Sequence, residues 1–203
     1  MCGRFAQVID ISTLIKKLLI EKINDSITQR FNLAPSQNAA VVFNENGIRT
    51  LSSFKWGVEM FKSPLINIRS EKLYSSWSSI SENRCIVPVS GFYEWRGKKP
   101  YYFHTETPFY LGGLFESNSF GVLTKESSGI MSKFHHRMPL LIDNESVNAW
   151  LNRNSPRADI NRIIENSICD SLGFHEVSSL VNSVANSSPE CIKPFYNNNL
   201  TLF

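Results

Sequence analysis

The stretch Ala39-Ala-Val-Val-Phe-Asn-Glu-Asn-Gly-Ile48 contains the clearest folding signal in the chain. An apolar run leads into Asn44-Glu45-Asn46-Gly47, and a second run continues from Ile48 to Trp56. Asn-Gly between two such runs is typical of a tight β-hairpin turn, because both residues tolerate positive φ. We therefore predict a β-hairpin over residues 39–58.

Similar apolar runs, separated by turn residues, predict further strands along the chain. These segments are 84–95, 100–104, 108–115, 119–124, 138–142 and 174–181. The first two would pair around Arg96-Gly97-Lys98-Lys99, and the next two through Ser117-Asn118. Helical spacing of apolar residues predicts a helix over 10–23, capped by Asp10 or Ser12, and others at 145–151 and after Ser155-Pro156.

Strands in hairpins with helices at intervals indicate an α+β fold. We expect a mainly antiparallel, barrel-like β-sheet core with flanking helices. A length of 203 residues suits one domain with a full hydrophobic core. We assign that domain to residues 1–195 and expect a loose tail at 196–203.

Composition narrows the functional class. The net charge of +3 permits nucleic-acid binding without arguing for it. No apolar run approaches transmembrane length and the start has no signal-peptide core, so we expect no membrane partner. An intracellular protein, in the cytoplasm or nucleus and not secreted, is predicted.

The four cysteines do not form a metal or disulfide framework. None lies in C-x-x-C and none has paired Cys/His ligand spacing, so we predict no metal site and no cofactor. Cys85, Cys169 and Cys191 are interpreted as small buried apolar residues. Cys2 differs from them, because it directly follows the initiator methionine.

Removal of Met1 would give Cys2 a free α-amine and a thiol on adjacent carbons. Such a pair condenses with an aldehyde through nitrogen to an imine, and the thiol then closes a thiazolidine ring. Arg4 places a cation near the thiol. The other interpretation is an incidental small residue near the terminus.

Three internal segments carry candidate site residues. In an extended 66–71 segment, alternation would place Asn67, Arg69 and Glu71 on one face; the alternative is a solvated strand face with an Arg–Glu pair. Glu94 lies between Tyr93 and Trp95, where partial burial would suit a proton-transfer group; the alternative is a surface glutamate.

The third segment contains the adjacent histidines His135 and His136. One of them could act as a proton donor. Neighbours in an extended segment point apart, so we do not expect both to bind one metal ion. The alternative is one histidine satisfied in the core and one exposed.

Together these segments resemble the SRAP family, also called SOS-response-associated peptidases or abasic-site processing proteins. The resemblance runs from Met1 to about Pro194 and rests on motifs in one order. They are M-C-G-R-F at 1–5, F-N-L-A-P at 31–35, N-I-R-S-E at 67–71, R-C-I-V-P-V-S-G-F-Y-E-W at 84–95, F-H-H-R-M-P-L-L-I at 134–142, and V-S-S-L-V-N with S-P-E-C-I within 177–192.

The resemblance implies a catalytic group of four residues. Cys2 would be the nucleophile that crosslinks to an abasic site in single-stranded DNA. Asn67 would steady the sugar end and the cysteine. Glu94 would be the active-site carboxylate, and His135 would lie beside the abasic sugar and help to open its ring. The resulting thiazolidine would shield the DNA lesion from strand cleavage.

The resemblance also implies a DNA-binding surface. Arg4, Arg69 and Arg137 would line the DNA path, and Pro35 would pack at a single-strand to double-strand junction. The implied partner is single-stranded DNA that contains abasic sites, bound by a monomer. Phe31, Trp56, Phe61 or Trp95 could stack on bases.

Two other functions stay open at this point. One is a cysteine peptidase with Cys2 as thiol nucleophile and His135 as base; the other is a non-enzymatic DNA-binding module, which the small net charge disfavours. The chain also departs from the family where Trp56-Gly57 is followed by only six residues before Pro64. Family members have a longer segment there with a Pro-x-Trp element, so Phe61 is a candidate replacement.

Overall fold

The computed structural model describes residues 2–59, 63–167 and 172–195, without the side chains of 107 and 108. Phe61, Cys169 and the predicted tail at 196–203 lie outside the described residues. The described strands are β1 (Phe5–Gln7), β2 (Lys22–Ile23), β3 (Arg30–Leu33), β4 (Asn38–Glu45), β5 (Ile48–Trp56), β6 (Asn67–Arg69), β7 (Arg84–Arg96), β8 (Lys99–Glu116), β9 (Ser119–Glu126), β10 (Arg137–Pro139), β11 (Leu141–Ile142) and β12 (Gly173–Glu176).

Helices are short and few in the described residues. The α-helices are α1 (Ile11–Leu18), α2 (Val147–Leu151) and α3 (Arg157–Asn166). The 3-10 helices are Ser70–Lys72, Ser78–Ile80, Gly129–Lys133, Ser179–Asn182 and Pro189–Ile192.

The hairpin predicted from Asn46-Gly47 is confirmed. β4 and β5 pair antiparallel from Asn38↔Lys55 to Glu45↔Ile48. Asn46 and Gly47 have φ of 53° and 85°, which are the left-handed values that a two-residue turn of this kind requires.

The second and third predicted hairpins are confirmed as one continuous meander. β7 pairs with β8 as far as Arg96↔Lys99, and β8 then pairs with β9 through the turn at 117–118. β8 is a single strand, where the sequence predicted two segments. At Gly91, where the register of β7 shifts, a Cβ would clash with the Tyr102 ring and lie 2.5 Å from the Phe103 carbonyl oxygen. Glycine there allows β8 to approach β7 closely.

The strands close into a ring. The order β8-β9-β5-β4-β7 returns to β8 through the β7–β8 pairing, and β1, β3 and β11 extend the sheet. Most pairs are antiparallel, while β2–β5, β5–β9 and β6–β9 are parallel. The predicted α+β class with a mainly antiparallel, barrel-like core and flanking helices is therefore confirmed, as a mixed sheet.

Side-chain alternation along these strands separates two apolar layers. One cluster takes residues from all five ring strands, including Val41, Trp56 and Phe103, and so fills the interior of the barrel. Cys2 belongs to this interior cluster. A second cluster on the outer face is covered by α1, α2 and α3 through residues such as Leu14 and Trp150.

Several helix predictions need correction. α1 begins after Asp10, which caps it by accepting from Ser12 N at 3.1 Å, as predicted. It ends at Leu18 instead of Ile23, because Leu19 adopts a left-handed φ of 53° and the chain turns into β2. Ser155 was expected to cap α3, but its hydroxyl donates to the Ala149 carbonyl.

The later strand predictions also change in detail. The segment 138–142 forms two short strands, β10 on β9 and β11 on β8, instead of one. The predicted strand 174–181 is β12 only as far as Glu176, and a 3-10 helix follows from Ser179. Cys85 and Cys191 are buried free thiols, as predicted.

Candidate active site

Cys2 lies just before β1, at the interior cluster of the barrel. Its side chain is fully buried, and its Sγ donates to the Arg4 carbonyl at 3.9 Å. Burial raises the pKa of the Cys2 thiol to about 12, and the nearby charge of Glu94 adds to this rise. The thiol is therefore protonated at neutral pH.

Asn67 fixes the backbone of Cys2. β6 runs parallel to β9 and holds Asn67 beside Val122, from where its Nδ2 donates to the Cys2 carbonyl at 2.8 Å. The Asn67 Oδ1 is buried and accepts no hydrogen bond from the described residues. This oxygen is consequently an acceptor available next to the start of the chain.

Glu94 enters the site from β7. The carboxylate is 5% exposed, and Glu94 lies directly opposite Tyr101 of β8. Its charge raises the pKa of both the Cys2 thiol and the His135 ring, so the carboxylate is near both groups. Of the two interpretations offered by the sequence, the structure favours the buried carboxylate over the surface glutamate.

His135 lies between the 3-10 helix Gly129–Lys133 and β10. Its Nδ1 is 2.9 Å from the Arg137 N–H and 3.2 Å from the Arg137 carbonyl oxygen. The amide can donate to an unprotonated Nδ1 and the carbonyl can accept from a protonated one, so the backbone supports both states. Burial is the main cause that lowers the pKa of His135 below its ordinary value.

The expectation that the two histidines point apart is wrong. The rings of His135 and His136 stack with centroids 4.3 Å apart, because the segment is an irregular connection and not an extended strand. Within the described parts of the chain, no group of three or more His, Cys, Asp or Glu side chains could hold a metal ion.

The three predicted DNA-contacting arginines have different environments. Arg69 is exposed at the end of β6, and its side chain makes no hydrogen bond or salt bridge within the described residues, although its charge helps to lower the pKa of Glu71. Arg137 is 8% exposed, and its guanidinium binds both carboxylate oxygens of Glu71, at 2.6 and 2.9 Å, and the Thr124 carbonyl at 2.6 Å. The ion pair that the sequence suggested within Asn67–Glu71 thus involves Arg137 instead of Arg69.

Arg4 lies on the other side of β7 from Glu94. Its guanidinium donates to Asn32 Oδ1 at 2.8 Å and to the Val181 carbonyl at 2.6 Å, and it stands over the Trp95 ring at 5.9 Å. Burial lowers the pKa of Arg4. These contacts occupy Arg4 inside the protein, and a role on a DNA path stays a prediction for it.

A sequence profile of the SOS response associated peptidase (SRAP) family matches residues 1–184. The chain belongs to the SRAP family. Among its relatives, the abasic site processing protein YoqW of Bacillus subtilis is 28% identical over 95% of this chain and 99% of its own length. The abasic site processing protein HMCES of Gallus gallus is 25% identical over 81% of this chain and 66% of its own length.

Solved structures share this SRAP fold. A protein from Bacteroides thetaiotaomicron superposes with a TM-score of 0.81 at 16% identity, covering 96% of this chain and all of its own. A phage-related protein from Bordetella bronchiseptica gives a TM-score of 0.74 at 22% identity, over 87% of this chain and 94% of its own. At these identities the likeness concerns the fold.

The other residues of this SRAP chain that were predicted to contact DNA differ in how exposed they are. Pro35 is half-buried in the turn between β3 and β4, and its role at a DNA junction stays a prediction. Trp56 cannot stack on bases, because it is fully buried and its Nε1 donates to the Ile66 carbonyl. Phe31 and Trp95 are half-buried. No helix in the described residues is long and apolar enough to cross a membrane.

Sequence reasoning missed residues that hold the site in place. Asn32 is fully buried and its Nδ2 donates to the carbonyls of Val181, Ser183 and Asn186. Its place in the F-N-L-A-P motif was the available signal. Tyr101 was missed as well, although counting back from the Arg96-Gly97-Lys98-Lys99 turn would have placed it opposite Glu94.

Proposed function

We propose that this protein captures abasic sites in single-stranded DNA by a covalent thiazolidine bond to Cys2, once Met1 has been removed. The observation that carries the proposal is the arrangement around Cys2. Asn67 binds the Cys2 carbonyl at 2.8 Å, while the buried Glu94 acts electrostatically on both Cys2 and His135. The names of the relatives YoqW and HMCES, abasic site processing proteins, support the same substrate.

The reaction begins with opening of the abasic sugar. In the closed hemiacetal the anomeric hydroxyl gives its proton to a solvent water, the ring C–O bond breaks, and the ring oxygen takes a proton from His135. The two backbone groups of Arg137 near Nδ1 support either charge state of the ring, so this transfer needs no reorientation. The product is a free aldehyde.

The α-amine of Cys2 then attacks the aldehyde carbon. Its pKa of about 7.7–8.0 leaves roughly a tenth to a fifth neutral at pH 7. Glu94 accepts a proton from the ammonium and returns one to the carbinolamine hydroxyl, which leaves as water. The resulting imine carbon adds Sγ, the thiol proton moves to nitrogen, and the ring closes with the net loss of one water.

The pKa of the thiol supports this order of steps. Burial raises the pKa of the thiol, so it stays protonated at pH 7, whereas a fraction of an ordinary α-amine is neutral at that pH. The thiol thus reacts second, with a carbon already activated as an imine. A cysteine peptidase is less well supported, because it needs a base bonded to the thiol, whereas Sγ donates to the Arg4 carbonyl.

A denaturing gel and intact mass spectrometry test the proposal. Mature protein mixed with an abasic single-stranded oligonucleotide should give a shifted band whose mass is the sum of the components minus one water. Cys2→Ser should abolish the band that survives denaturation. Cys191→Ser is the matched control: it can keep the bond to the Asn186 carbonyl and should crosslink fully.

A second variant tests whether the reaction needs the α-amine in addition to the thiol. One lysine inserted between Met1 and Cys2 retains the thiol but moves the α-amine away, so the thiazolidine cannot form. A stable adduct from this variant, or from Cys2→Ala, would contradict the proposal.

A further inference from the structure

The face of the sheet that carries Glu94 continues outward to the tip of the β7–β8 hairpin. Residues directly opposite each other in a sheet share a face, and residues two apart on a strand do so as well. Glu94 lies opposite Tyr101, and Arg96 lies opposite Lys99. Arg96 therefore projects from the same face as Glu94, about 7 Å further along β7.

β12 extends this face sideways. It pairs with β8 so that Phe174 lies opposite Phe103 and Glu176 lies opposite Tyr101. The Phe174 ring stacks on Phe103 with centroids 5.6 Å apart, and it is 41% exposed. A large aromatic side chain is thus held rigidly by packing while it presents a free surface to solvent.

This aromatic group is connected to the catalytic residues. Phe134, which directly precedes His135, contacts Phe174 at 5.2 Å and Tyr101 at 5.0 Å between ring centroids. The exposed ring of Phe174 also contacts Tyr101 directly, with ring centroids 6.2 Å apart, and Tyr101 is the residue opposite Glu94. We call the exposed side chains of Arg96 and Phe174, with Tyr101 between them, the outer strip.

The charges on the outer strip favour the binding of an anionic group. Arg96 is exposed, and its side chain makes no hydrogen bond or ion pair within the part of the chain that the structure describes. The nearby carboxylate of Glu176 is paired with the Lys99 Nζ at 2.9 Å, so it does not compete for Arg96. Lys98 adds a further exposed cation at the hairpin tip.

We propose that the outer strip binds the single strand next to the abasic sugar, with one base stacked on Phe174 and a phosphate further along the strand on Arg96. This rests on the proposed function, and it names a positioning surface for the same substrate. An aromatic face beside a cation is the combination that binds single strands without sequence preference. Arg4 and Arg137 are occupied internally, so Arg96 supplies a charge that neither of them can.

Binding and capture can be measured separately. Affinity for an intact single-stranded oligonucleotide, which has no abasic site, should fall on the order of 10-fold for Phe174→Ala and be retained for Phe174→Trp. Arg96→Ala should weaken binding and flatten the dependence of log K on log salt by about 0.7, the value for one phosphate contact. With abasic DNA, both variants should raise the concentration for half-maximal crosslinking and leave the rate at saturation unchanged.

Matched controls lie at the other end of β7. Arg153 is an exposed arginine bonded to Asn83, next to the start of that strand, and Arg153→Ala should change neither affinity nor salt dependence. Ile48→Ala removes an exposed apolar side chain from the β4–β5 turn and should also be neutral. Thermal melting of each variant checks that it is folded.

The outcomes separate the two proposals. If wild-type protein crosslinks abasic DNA but Phe174→Ala and the charge reversal Arg96→Glu bind intact DNA as it does, the outer strip is not a binding surface and the proposed function stands. If wild-type protein forms no adduct yet binds intact strands through both residues, the outer strip stands and the capture chemistry fails. Absence of any binding by wild-type protein overturns the outer strip.

Discussion

The two faces of β7 near its end differ sharply in how their polar groups are used. On one face, Trp95 donates from Nε1 to Asn182 at 2.9 Å and carries Arg4 over its ring, and Arg4 is bonded to Asn32. On the other face, Glu94 is buried near Cys2 and His135 and acts on the pKa values of both. Successive residues of one strand therefore contribute to two different tasks.

We infer that the Trp95 face of β7 stabilises the fold, while the Glu94 face carries the reacting groups. On the Trp95 face the charged and amide groups bond to neighbours from distant parts of the chain, which fastens the segment 181–186 to β1 and β3. On the Glu94 face, the ionisable groups of Cys2, Glu94 and His135 lie close together at buried or half-buried positions, and we propose that proton transfer takes place there. Substitutions on the first face should change stability, and those on the second should change rate.

Glu94→Gln should have the largest effect. It keeps the shape of a buried side chain but removes the carboxylate that we propose transfers protons, so the crosslinking rate at saturating abasic DNA should fall about 100-fold or more. Single-turnover measurements on denaturing gels give this rate. On the opposite face, Trp95→Phe should leave the rate within about twofold and lower the free energy of unfolding by about 1 kcal/mol, through the lost bond to Asn182.

Whether Glu94→Gln slows or speeds crosslinking also shows whether the amine or the thiolate attacks first. The negative charge of Glu94 raises the pKa of the Cys2 thiol, so its removal should increase the thiolate fraction. A reaction that begins with thiolate attack would then become faster in Glu94→Gln. A faster crosslink in that variant would contradict the order in which the amine attacks first.

Asn32→Ala should be the most damaging change on the Trp95 face. The amide of Asn32 donates to three backbone carbonyls and accepts from Arg4, all at a fully buried position. Leaving these partners unsatisfied should lower the free energy of unfolding by about 3 kcal/mol, measured by urea denaturation. The rate at saturation should stay near that of the wild type in the folded fraction.

Asn44→Ala is the matched control for this change. At a half-buried position, the Nδ2 of Asn44 donates to the Leu151 carbonyl and its Oδ1 accepts a long bond of 3.4 Å from Arg49 Nε, so the loss of the side chain should cost about 1 kcal/mol. Equal costs for the two asparagine variants would mean that the contacts of Asn32 are not what fastens the segment.

Local signals were enough to predict much of the sheet, whereas the roles given to the candidate site residues came from the family resemblance and stay predictions. Asn46-Gly47 specified its hairpin because both residues need positive φ, and the turn at 97–98 specified the β7–β8 pairing. The helix end at Leu18 could not be predicted in this way, because a left-handed leucine at position 19 breaks a stripe that continues in sequence. Tertiary context there overrides propensity.

The residues to which Arg4 and Arg137 bond could not be predicted from the sequence either. Arg137 and Glu71 are 66 positions apart, and Arg4 contacts the Val181 carbonyl across 177 positions. Arg137 meets Glu71 because β10 and β6 both pair with β9, a long-range arrangement that no local pattern specifies. The arginines predicted for the DNA path, Arg4, Arg69 and Arg137, therefore look alike in sequence, while in the fold only Arg69 among them is exposed and makes no side-chain hydrogen bond or salt bridge within the described residues.

The smallest predicted effect concerns His175, which faces away from the Glu94 side of the sheet. Its Nε2 donates to the Ile192 carbonyl at 2.8 Å, and its ring lies 5.1 Å from that of His104. Burial is the main cause that lowers the pKa of His175 below its ordinary value of 6.5. The unfolded chain therefore takes up this proton at a higher pH than the folded protein does.

Stability should consequently fall as the pH drops below about 7, and the loss should end once the pH is below the lowered pKa of the folded state. His175→Gln keeps a donor for the Ile192 carbonyl but does not titrate, so the free energy of unfolding should decline less steeply between pH 7 and pH 5 than in the wild type. Urea denaturation at several pH values measures both slopes. The pKa of His135 is lowered too, so part of the slope should persist in this variant and disappear in His135→Gln/His175→Gln. Identical slopes for wild type and His175→Gln would show that this histidine titrates alike in both states.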